Sequence, residues 1–213
     1  MIKMVLDTTR YNATYFGDTV ESGGLKDVAG YTGGYLEKGQ RYRFNSGDEA
    51  NPYNPEWKAL ADVIHGRNPL NNADVLDLGG AVGFLGEYLK EKGASTYDVI
   101  DVSNWCFKHK LSVIDTFTEN DAITALQSLR DDAYSLIIST QFLECVDDTD
   151  LPTLITEMNR VANNVQIHVV TETLNREDTR SLYNLKTLKE WSAFGFNSGT
   201  ILISHHTGDV LVV

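Results

Sequence analysis

Short apolar runs and longer runs with helical spacing alternate along the chain from residue 57 onward. Apolar runs of a few residues rich in Val and Ile are typical of buried strands, and apolar positions three and four residues apart are typical of helices. The predicted strands are ADVLDLG, STYDVID, LSVID, YSLIIST, NVQIHVVTE, TILISHH and DVLVV. The predicted helices are EWKALADVIH, VGFLGEYLKEK, residues 103–111, AITALQSLR, DLPTLITEMNRVA and TLKEWSAFG.

The order of these elements predicts an α/β fold. Strands that alternate with helices of this length form βαβ units and a largely parallel sheet with helices on its faces. The last two strands are separated by Thr207 and Gly208. So short a connection makes the last strand antiparallel to the one before it. We therefore expect a doubly wound, three-layer α/β/α domain that ends in an antiparallel β-hairpin.

The first 56 residues differ from the rest of the chain. They hold 8 of the 17 glycines and 6 of the 10 tyrosines, with little periodic pattern. Glycine permits positive φ angles, so this composition predicts loops and turns, while the aromatic content is untypical of a disordered tail. We divide the chain into residues 1–56, expected to be an irregular lid or acceptor-binding segment, and a main domain of residues 57–213.

Composition and charge narrow the classes of function. The chain has 30 acidic and 18 basic residues and a formal net charge of −12, which opposes charge-driven binding of nucleic acids. No apolar run reaches the ~18–20 residues of a membrane span, and MIKMVLDTTR lacks the apolar core of a secretory signal. Two cysteines, Cys106 and Cys145, favour a reducing, cytoplasmic setting, and the scattered histidines predict no metal site.

The sharpest feature of the chain is VLDLGGAVGFLG, a buried strand that leads through small residues into a helix. Small residues let the backbone approach a ligand at a helix N-terminus, where free N–H groups bind polar or anionic atoms. The GxGxxG spacing of nicotinamide and flavin sites is not met, because Ala81 or Val82 falls on a glycine position. The residues fit instead an acid followed by small residues at every second position, namely Asp77, Gly79, Ala81 and Gly83.

With this turn, the chain from about residue 57 to 213 resembles the class I S-adenosylmethionine-dependent methyltransferases. VLDLGGAVGFLGEYLKEKGA is similar to the first motif of that family, and TYDVIDVS, with an acid at its strand end, is similar to the second. AYSLIISTQFLECVDD and LITEMNRVA are similar to the family's fourth strand and following helix, and the family also ends its sheet with an antiparallel strand. The resemblance implies a Rossmann-like fold and S-adenosylmethionine as cofactor.

The resemblance also implies a set of cofactor-binding residues. They are Asp77, Gly79, Gly80, Ala81, Gly83, Asp101, Val102, Asp121, Ala122, Thr140 and Gln141. Asp101 is expected to accept hydrogen bonds from the two ribose hydroxyls. Asp98 is the rival acid, but ligands of open α/β sheets bind at the C-terminal ends of strands, where the family's pattern puts Asp101. For the adenine amino group, Asp121 is favoured over Asp115, with the Ala122 N–H facing the ring.

Three further positions have roles that the resemblance implies. Asp77 corresponds to the acid that contacts the methionine end of the cofactor or fixes the glycine loop. Thr140 and Gln141 correspond to the stretch that meets the methionine ammonium.

The acceptor side carries weaker signals. Methyl transfer from a sulfonium is an in-line displacement, in which positioning can supply much of the catalysis and a base is needed only where the acceptor must lose a proton. Many relatives read Leu-Glu-His after the fourth strand, whereas this chain reads Leu143-Glu144-Cys145. Glu144 is therefore a candidate base or acceptor contact, or else a structural carboxylate. Tyr15, in RYNATYF, is a candidate to close over the cofactor, or else to pack the segment down.

These observations lead to one main hypothesis and two alternatives. The main hypothesis is methyl transfer from S-adenosylmethionine to a small-molecule or sugar-like acceptor. One alternative is a non-catalytic, methyltransferase-like binding module. The other is a different reaction on the same cofactor, such as aminopropyl transfer or sulfonium cleavage.

Overall fold

A computed structural model describes residues 54–162, 165–170, 186–204 and 209–213. The helices are α1 (Asn54–Arg67), α2 (Phe84–Glu91), α3 (Asn104–His109), α4 (Ala122–Gln127), α5 (Leu151–Val161) and α6 (Leu188–Ser192). The strands are β1 (Asp74–Leu78), β2 (Thr96–Asp101), β3 (Thr116–Glu119), β4 (Leu136–Thr140), β5 (Gln166–Val170), β6 (Ile201–Ser204) and β7 (Val210–Val212). A 3₁₀ turn, Leu143–Cys145, follows β4.

The seven strands form one sheet in the order β3-β2-β1-β4-β5-β6-β7. Every neighbouring pair is parallel except β6 and β7, which are antiparallel. In chain order, the strands begin with β1 in the middle of the sheet and continue outward through β2 to β3. The next strand, β4, lies on the other side of β1. The strand order therefore reverses between β1 and β4, and such a reversal opens a crevice at the C-terminal ends of these strands.

Helices cover both faces of the sheet, so the predicted three-layer α/β/α architecture is confirmed. On one face, α1 and α2 pack on alternate strand residues such as Val75 and Ile138. On the other face, α4, α5 and α6 pack on the intervening residues, such as Leu76 and Ile137. Because the side chains of a strand point alternately to its two faces, strands buried on both sides are apolar throughout. This explains the continuous apolar runs of β1 and β4.

The third strand lies elsewhere than the sequence predicted. LSVID, residues 111–115, is not a strand, and β3 is Thr116–Glu119. Ile114 is buried in the core and Leu111 donates its backbone N–H to Val82, so these apolar residues pack a connection and not the sheet. The strand itself, TFTE, contains a single apolar residue because it lies at the edge of the sheet. Asp115, at the end of the predicted strand LSVID, therefore precedes the third strand, and the expected position of this acid is wrong.

The remaining elements agree with their predictions to within a few residues at their ends. Asp150, predicted to cap α5, occupies the N-cap position but makes no capping hydrogen bond with its side chain. Among the described residues, no helix combines the length and apolarity that crossing a bilayer requires.

Candidate functional site

The predicted cofactor-binding residues meet at one edge of the sheet. The loop of residues 79–83 follows β1, Asp101 and Val102 end β2 and follow it, Asp121 and Ala122 follow β3, and Thr140 and Gln141 end β4 and follow it. These four strands are adjacent and parallel, so their C-terminal ends share one side of the domain. The residues therefore surround the crevice where the strand order reverses.

The glycine loop between β1 and α2 has an unusual backbone. Gly79, Ala81 and Gly83 have φ angles of 71°, 49° and 91°, in the left-handed region that glycine tolerates best. The Gly79 N–H donates to the carbonyl of Ile100 at 2.8 Å, which ties the start of the loop to β2. The alternation of left-handed residues explains why small residues recur at every second position.

Close contacts leave little room for side chains on the loop. A Cβ on Gly79 would lie 2.8 Å from the ring of Phe142, and one on Gly80 would lie 2.8 Å from the carboxyl of Asp77. Such separations are shorter than real Cβ contacts. The loop therefore packs closely on Phe142 and Asp77, and its opposite side faces the crevice.

The N-terminus of α2 opens from this loop. Gly83 occupies the N-cap position, and no side chain caps the helix there. The first N–H groups of a helix have no partner within the helix, and they carry the positive end of its dipole. The positive end of the α2 dipole therefore lies at the glycine loop.

Asp101 ties two loops together at the end of β2. Its Oδ2 accepts a hydrogen bond from the Ala81 N–H at 3.1 Å, and its Oδ1 accepts one from the Ser103 N–H at 2.8 Å. Burial raises the pKa of the carboxyl to about 6, although the two N–H donors act in the opposite direction. An ionised carboxylate can accept about four hydrogen bonds, so Asp101 retains capacity for two more.

Asp77 lies beneath the loop and is 3% exposed. Its Oδ2 accepts a hydrogen bond from the Tyr97 hydroxyl at 2.5 Å, and its Oδ1 has no hydrogen-bond partner among the described residues. Burial raises the pKa of Asp77 to about 7. The Tyr97 hydrogen bond lowers the pKa, and the nearby charge of Asp101 raises it. Of its two expected roles, this position favours support of the loop.

The structure separates the two candidates for the adenine contact. Asp121 lies two residues past β3, at the edge with the crevice, and its Oδ1 accepts the Thr124 N–H at 2.8 Å as the N-cap of α4. Asp115 lies at the opposite, N-terminal end of β3. It pairs there with Lys90 at 2.6 Å and accepts the Tyr97 N–H at 2.7 Å. Asp121 therefore lies on the side of the sheet where the cofactor is expected, whereas Asp115 lies at the opposite end of β3.

The end of β4 forms the other wall of the crevice. Gln141 has a φ angle of 55°, and its N–H donates to the carbonyl of Val169 at 2.8 Å. The next residue, Phe142, turns its ring onto Gly79. Glu144, in the 3₁₀ turn, is fully buried. Its burial is compatible both with a base in an enclosed pocket and with a structural carboxylate.

Tyr15, with the whole segment 1–53, lies outside the described residues. Among the residues that are described, no three His, Cys, Asp or Glu side chains are grouped so that they could hold a metal ion.

Sequence reasoning missed three residues that shape the loop. Tyr97 supports Asp77, Phe142 packs on Gly79, and Gly86 passes so close to the Tyr97 ring that a Cβ there would overlap it. The glycine inside the first turn of α2 was a usable signal, because an interior helix glycine has a cost that close packing can offset.

Comparison with known proteins agrees with this geometry. A family model described as a methyltransferase domain matches residues 52–211 of the chain. No curated protein matches the chain by sequence.

Among the similar solved structures, YcgJ and SpnF share the fold. The YcgJ protein from Bacillus subtilis is 16% identical, with a TM-score of 0.53 and an alignment that covers 65% of each chain. The [4+2]-cyclase SpnF is 20% identical, with a TM-score of 0.51, over 65% of this chain and 56% of that one. A SAM-dependent methyltransferase from Archaeoglobus fulgidus is 21% identical, with a TM-score of 0.42, over 54% of each chain. Each alignment covers less than two thirds of the other protein.

Proposed function

The chain belongs to the methyltransferase domain family, and from this premise we propose that it is an S-adenosylmethionine-dependent methyltransferase acting on a small-molecule acceptor. The observation that carries the proposal is the left-handed glycine loop after β1, with Asp101 on the adjoining strand and the reversal of strand order beside it.

The residues of the crevice fit the cofactor. Each carboxylate oxygen of Asp101 accepts one backbone N–H, which leaves one further site on each oxygen for the two vicinal ribose hydroxyls. Asp121 would supply an acceptor for the adenine amino group, and the N–H of Ala122 would face the ring. Thr140 and Gln141, across the crevice, supply polar groups for the methionine end.

The charges of the site suit this cofactor better than a dinucleotide. S-adenosylmethionine carries a sulfonium and an ammonium group, and both are stabilised by nearby carboxylates. A pyrophosphate at the glycine loop would instead lie near Asp101, which binds the Ala81 N–H, with the Asp77 carboxyl buried below Gly80. An ionised carboxylate and a phosphate repel each other in an enclosed site.

When bound, S-adenosylmethionine supplies an electrophilic methyl group. The chain's own residues then bind and orient the reactants, because alignment of the nucleophile with the methyl group lowers the entropic part of the barrier. Glu144 is the candidate to take a proton from an acceptor that must lose one. Tyr15 is the candidate to close over the methyl group, and the segment 1–56 is proposed to select the acceptor.

The acid-rich composition supports a small neutral or cationic acceptor. With a formal net charge of −12, the chain would repel a nucleic acid, which proteins bind chiefly through Lys and Arg contacts to phosphates.

Two measurements test the proposal in sequence. Calorimetry with S-adenosylhomocysteine should give saturable 1:1 binding. If the folded protein does not bind the ligand at millimolar concentration, the proposal is refuted. Incubation with methyl-labelled S-adenosylmethionine and a panel of small acceptors should then transfer the label to a neutral or cationic molecule. Transfer to RNA or DNA alone would show that the acceptor class is wrong.

A different reaction on the same cofactor is the second candidate. It is favoured by Cys145, which stands where many relatives have a histidine. Mass spectrometry of the products decides between the two, because methyl transfer adds the mass of one CH₂ group to the acceptor and leaves S-adenosylhomocysteine.

A further inference from the structure

We propose that Tyr97 is a positioning residue of the cofactor site, which holds Asp77 beneath the glycine loop and so fixes the loop for binding. The inference rests on the proposed function, since it assigns Tyr97 a role in the affinity for the cofactor. Tyr97 is the second residue of β2, at the end of the strand remote from the crevice, and it acts through Asp77 and the loop.

The register of the sheet brings Tyr97 under the loop. Asp77 of β1 pairs with Val99 of β2, so Tyr97 and Asp101 lie two residues before and after that partner, on the same face of the sheet. A long side chain can reach such a diagonal neighbour. Tyr97 thus approaches Asp77 from below, while Asp101 holds the loop from the crevice side.

The hydrogen bond between Tyr97 and Asp77 is enclosed. Tyr97 is fully buried, Asp77 is 3% exposed, and the hydroxyl donates to Oδ2 at 2.5 Å. The other oxygen of Asp77 has no partner among the described residues. Without the hydroxyl, both oxygens of a buried carboxyl would lack a donor there, and an unsatisfied buried group costs more than an ordinary hydrogen bond contributes. The carboxyl would then move toward water, through the loop.

The ring of Tyr97 supports the loop and the helix that follows it. A Cβ on Gly83 would lie 3.4 Å from the ring, and one on Gly86 would overlap it. The Asp77 carboxyl in turn lies directly below Gly80. The tyrosine, the acid and the loop therefore form one stack, in which displacement of the carboxyl is transmitted to the loop backbone.

The charged and titratable groups that act on Asp77 among the described residues are Tyr97 and Asp101, both on β2. The helices α1 and α2 on this face contribute apolar side chains to the core around it. Since the Tyr97 hydrogen bond lowers the pKa of Asp77 against the effect of burial, its removal should raise that pKa further.

The chain contains a matched control for a Tyr97→Phe variant. Tyr134 donates its hydroxyl to Oδ2 of Asp98 at 2.8 Å, and Oδ1 of Asp98 is likewise buried without a partner among the described residues. Asp98 neighbours Tyr97 along β2 and therefore faces the opposite side of the sheet, away from the loop. Tyr134→Phe removes the same kind of hydrogen bond without touching the loop.

The test measures the affinity for S-adenosylhomocysteine by calorimetry, the exchange of the loop amides by NMR, and the pKa of Asp77 from its carboxyl ¹³C shift. Tyr97→Phe should weaken binding by about tenfold or more. It should also speed exchange at Gly80 and Gly83 and raise the pKa of Asp77. Tyr134→Phe should change the affinity by at most about twofold and the pKa of Asp77 by at most a few tenths. It should leave the exchange of the loop amides unchanged. Equal behaviour of the two variants would overturn the inference.

Two substitutions of Asp77 keep the test decisive where Tyr97→Phe does not fold. Asp77→Asn retains an acceptor for the hydroxyl, whereas Asp77→Leu has a similar shape and no acceptor. Binding should survive in the first and weaken about tenfold in the second. If Asp77→Leu binds as tightly as Asp77→Asn, Tyr97 does not act through Asp77. If the wild-type protein itself does not bind the ligand, the proposed function fails, and the exchange and pKa measurements still decide the role of Tyr97.

Discussion

Replacement of Asp101 by alanine is the most direct perturbation of the proposed cofactor site. Asp101 is expected to hold the ribose, and its two oxygens also hold the backbones of Ala81 and Ser103 in place. Asp98→Ala is the matched control, since this acid lies three residues earlier on the same strand and faces Tyr134 on the other side of the sheet.

The size of the effect can be estimated from the hydrogen bonds. Each bond from a ribose hydroxyl to a carboxylate is worth about 1.5–3 kcal/mol, so two bonds contribute about 3–6 kcal/mol. Removal of the carboxylate also relieves the cost of burying it, as the raised pKa of Asp101 indicates. We therefore adopt the lower part of the range, and a loss of about 3 kcal/mol corresponds to a Kd increase of about 100-fold.

Calorimetric titration with S-adenosylhomocysteine gives the affinities, and circular dichroism confirms that each variant is folded. Asp98→Ala should bind within about threefold of the wild-type protein, because Asp98 is separated from the crevice by the sheet. A folded Asp101→Ala variant that binds as tightly as wild type would refute both the ribose contact and the tie to Ala81 as sources of affinity.

Three further perturbations test other parts of the structure. Gly86→Ala should lower the free energy of unfolding by about 1–3 kcal/mol through overlap with the Tyr97 ring. Gly66→Ala, where nothing lies within 4 Å, should not lower it in the same denaturant titration. Burial lowers the pKa of His168 from 6.5 to about 3, so only the unfolded state takes up this proton as the pH falls below 6.5. Acidification from pH 7 to 5 should therefore cost wild type about 2 kcal/mol more stability than His168→Gln, and equal losses would contradict the burial of a neutral imidazole. Asp121→Ala should weaken S-adenosylhomocysteine binding about tenfold, and Asp115→Ala should not, as calorimetry can check.

The sequence predicted the fold well because most strands of this sheet are buried on both faces. Continuous apolar runs identify β1, β4 and β5. The short connection predicted at Thr207 and Gly208, which lie outside the described residues, predicts an antiparallel β7. β3 is an edge strand whose residues are partly or fully exposed, so its sequence lacks a continuous apolar run. The apolar cluster that precedes it, which includes Ile114, packs a connection against the core instead.

Sequence reasoning placed a residue correctly where its position follows from a single strand. Asp101 and the glycine loop are of this kind, because the strand end fixes both. The choice between Asp121 and Asp115 depended on the true position of β3 and could be narrowed only by the structure. Tyr97 could not be found at all from its own strand, since its role arises from the register of β1 against β2.

The acidity of the chain acquires a local meaning at this site. Asp77 and Asp101 lie on the same face of adjacent strands, and burial lifts the pKa of the first to about 7 and of the second to about 6. Tyr97, Ala81 and Ser103 supply one donor each, which is fewer than two enclosed carboxylates can accept. A cationic ligand beside these acids lowers the cost of ionising them, and an anionic ligand raises it. A glycine loop that would otherwise suit a phosphate is thereby biased toward a ligand with a sulfonium and an ammonium group.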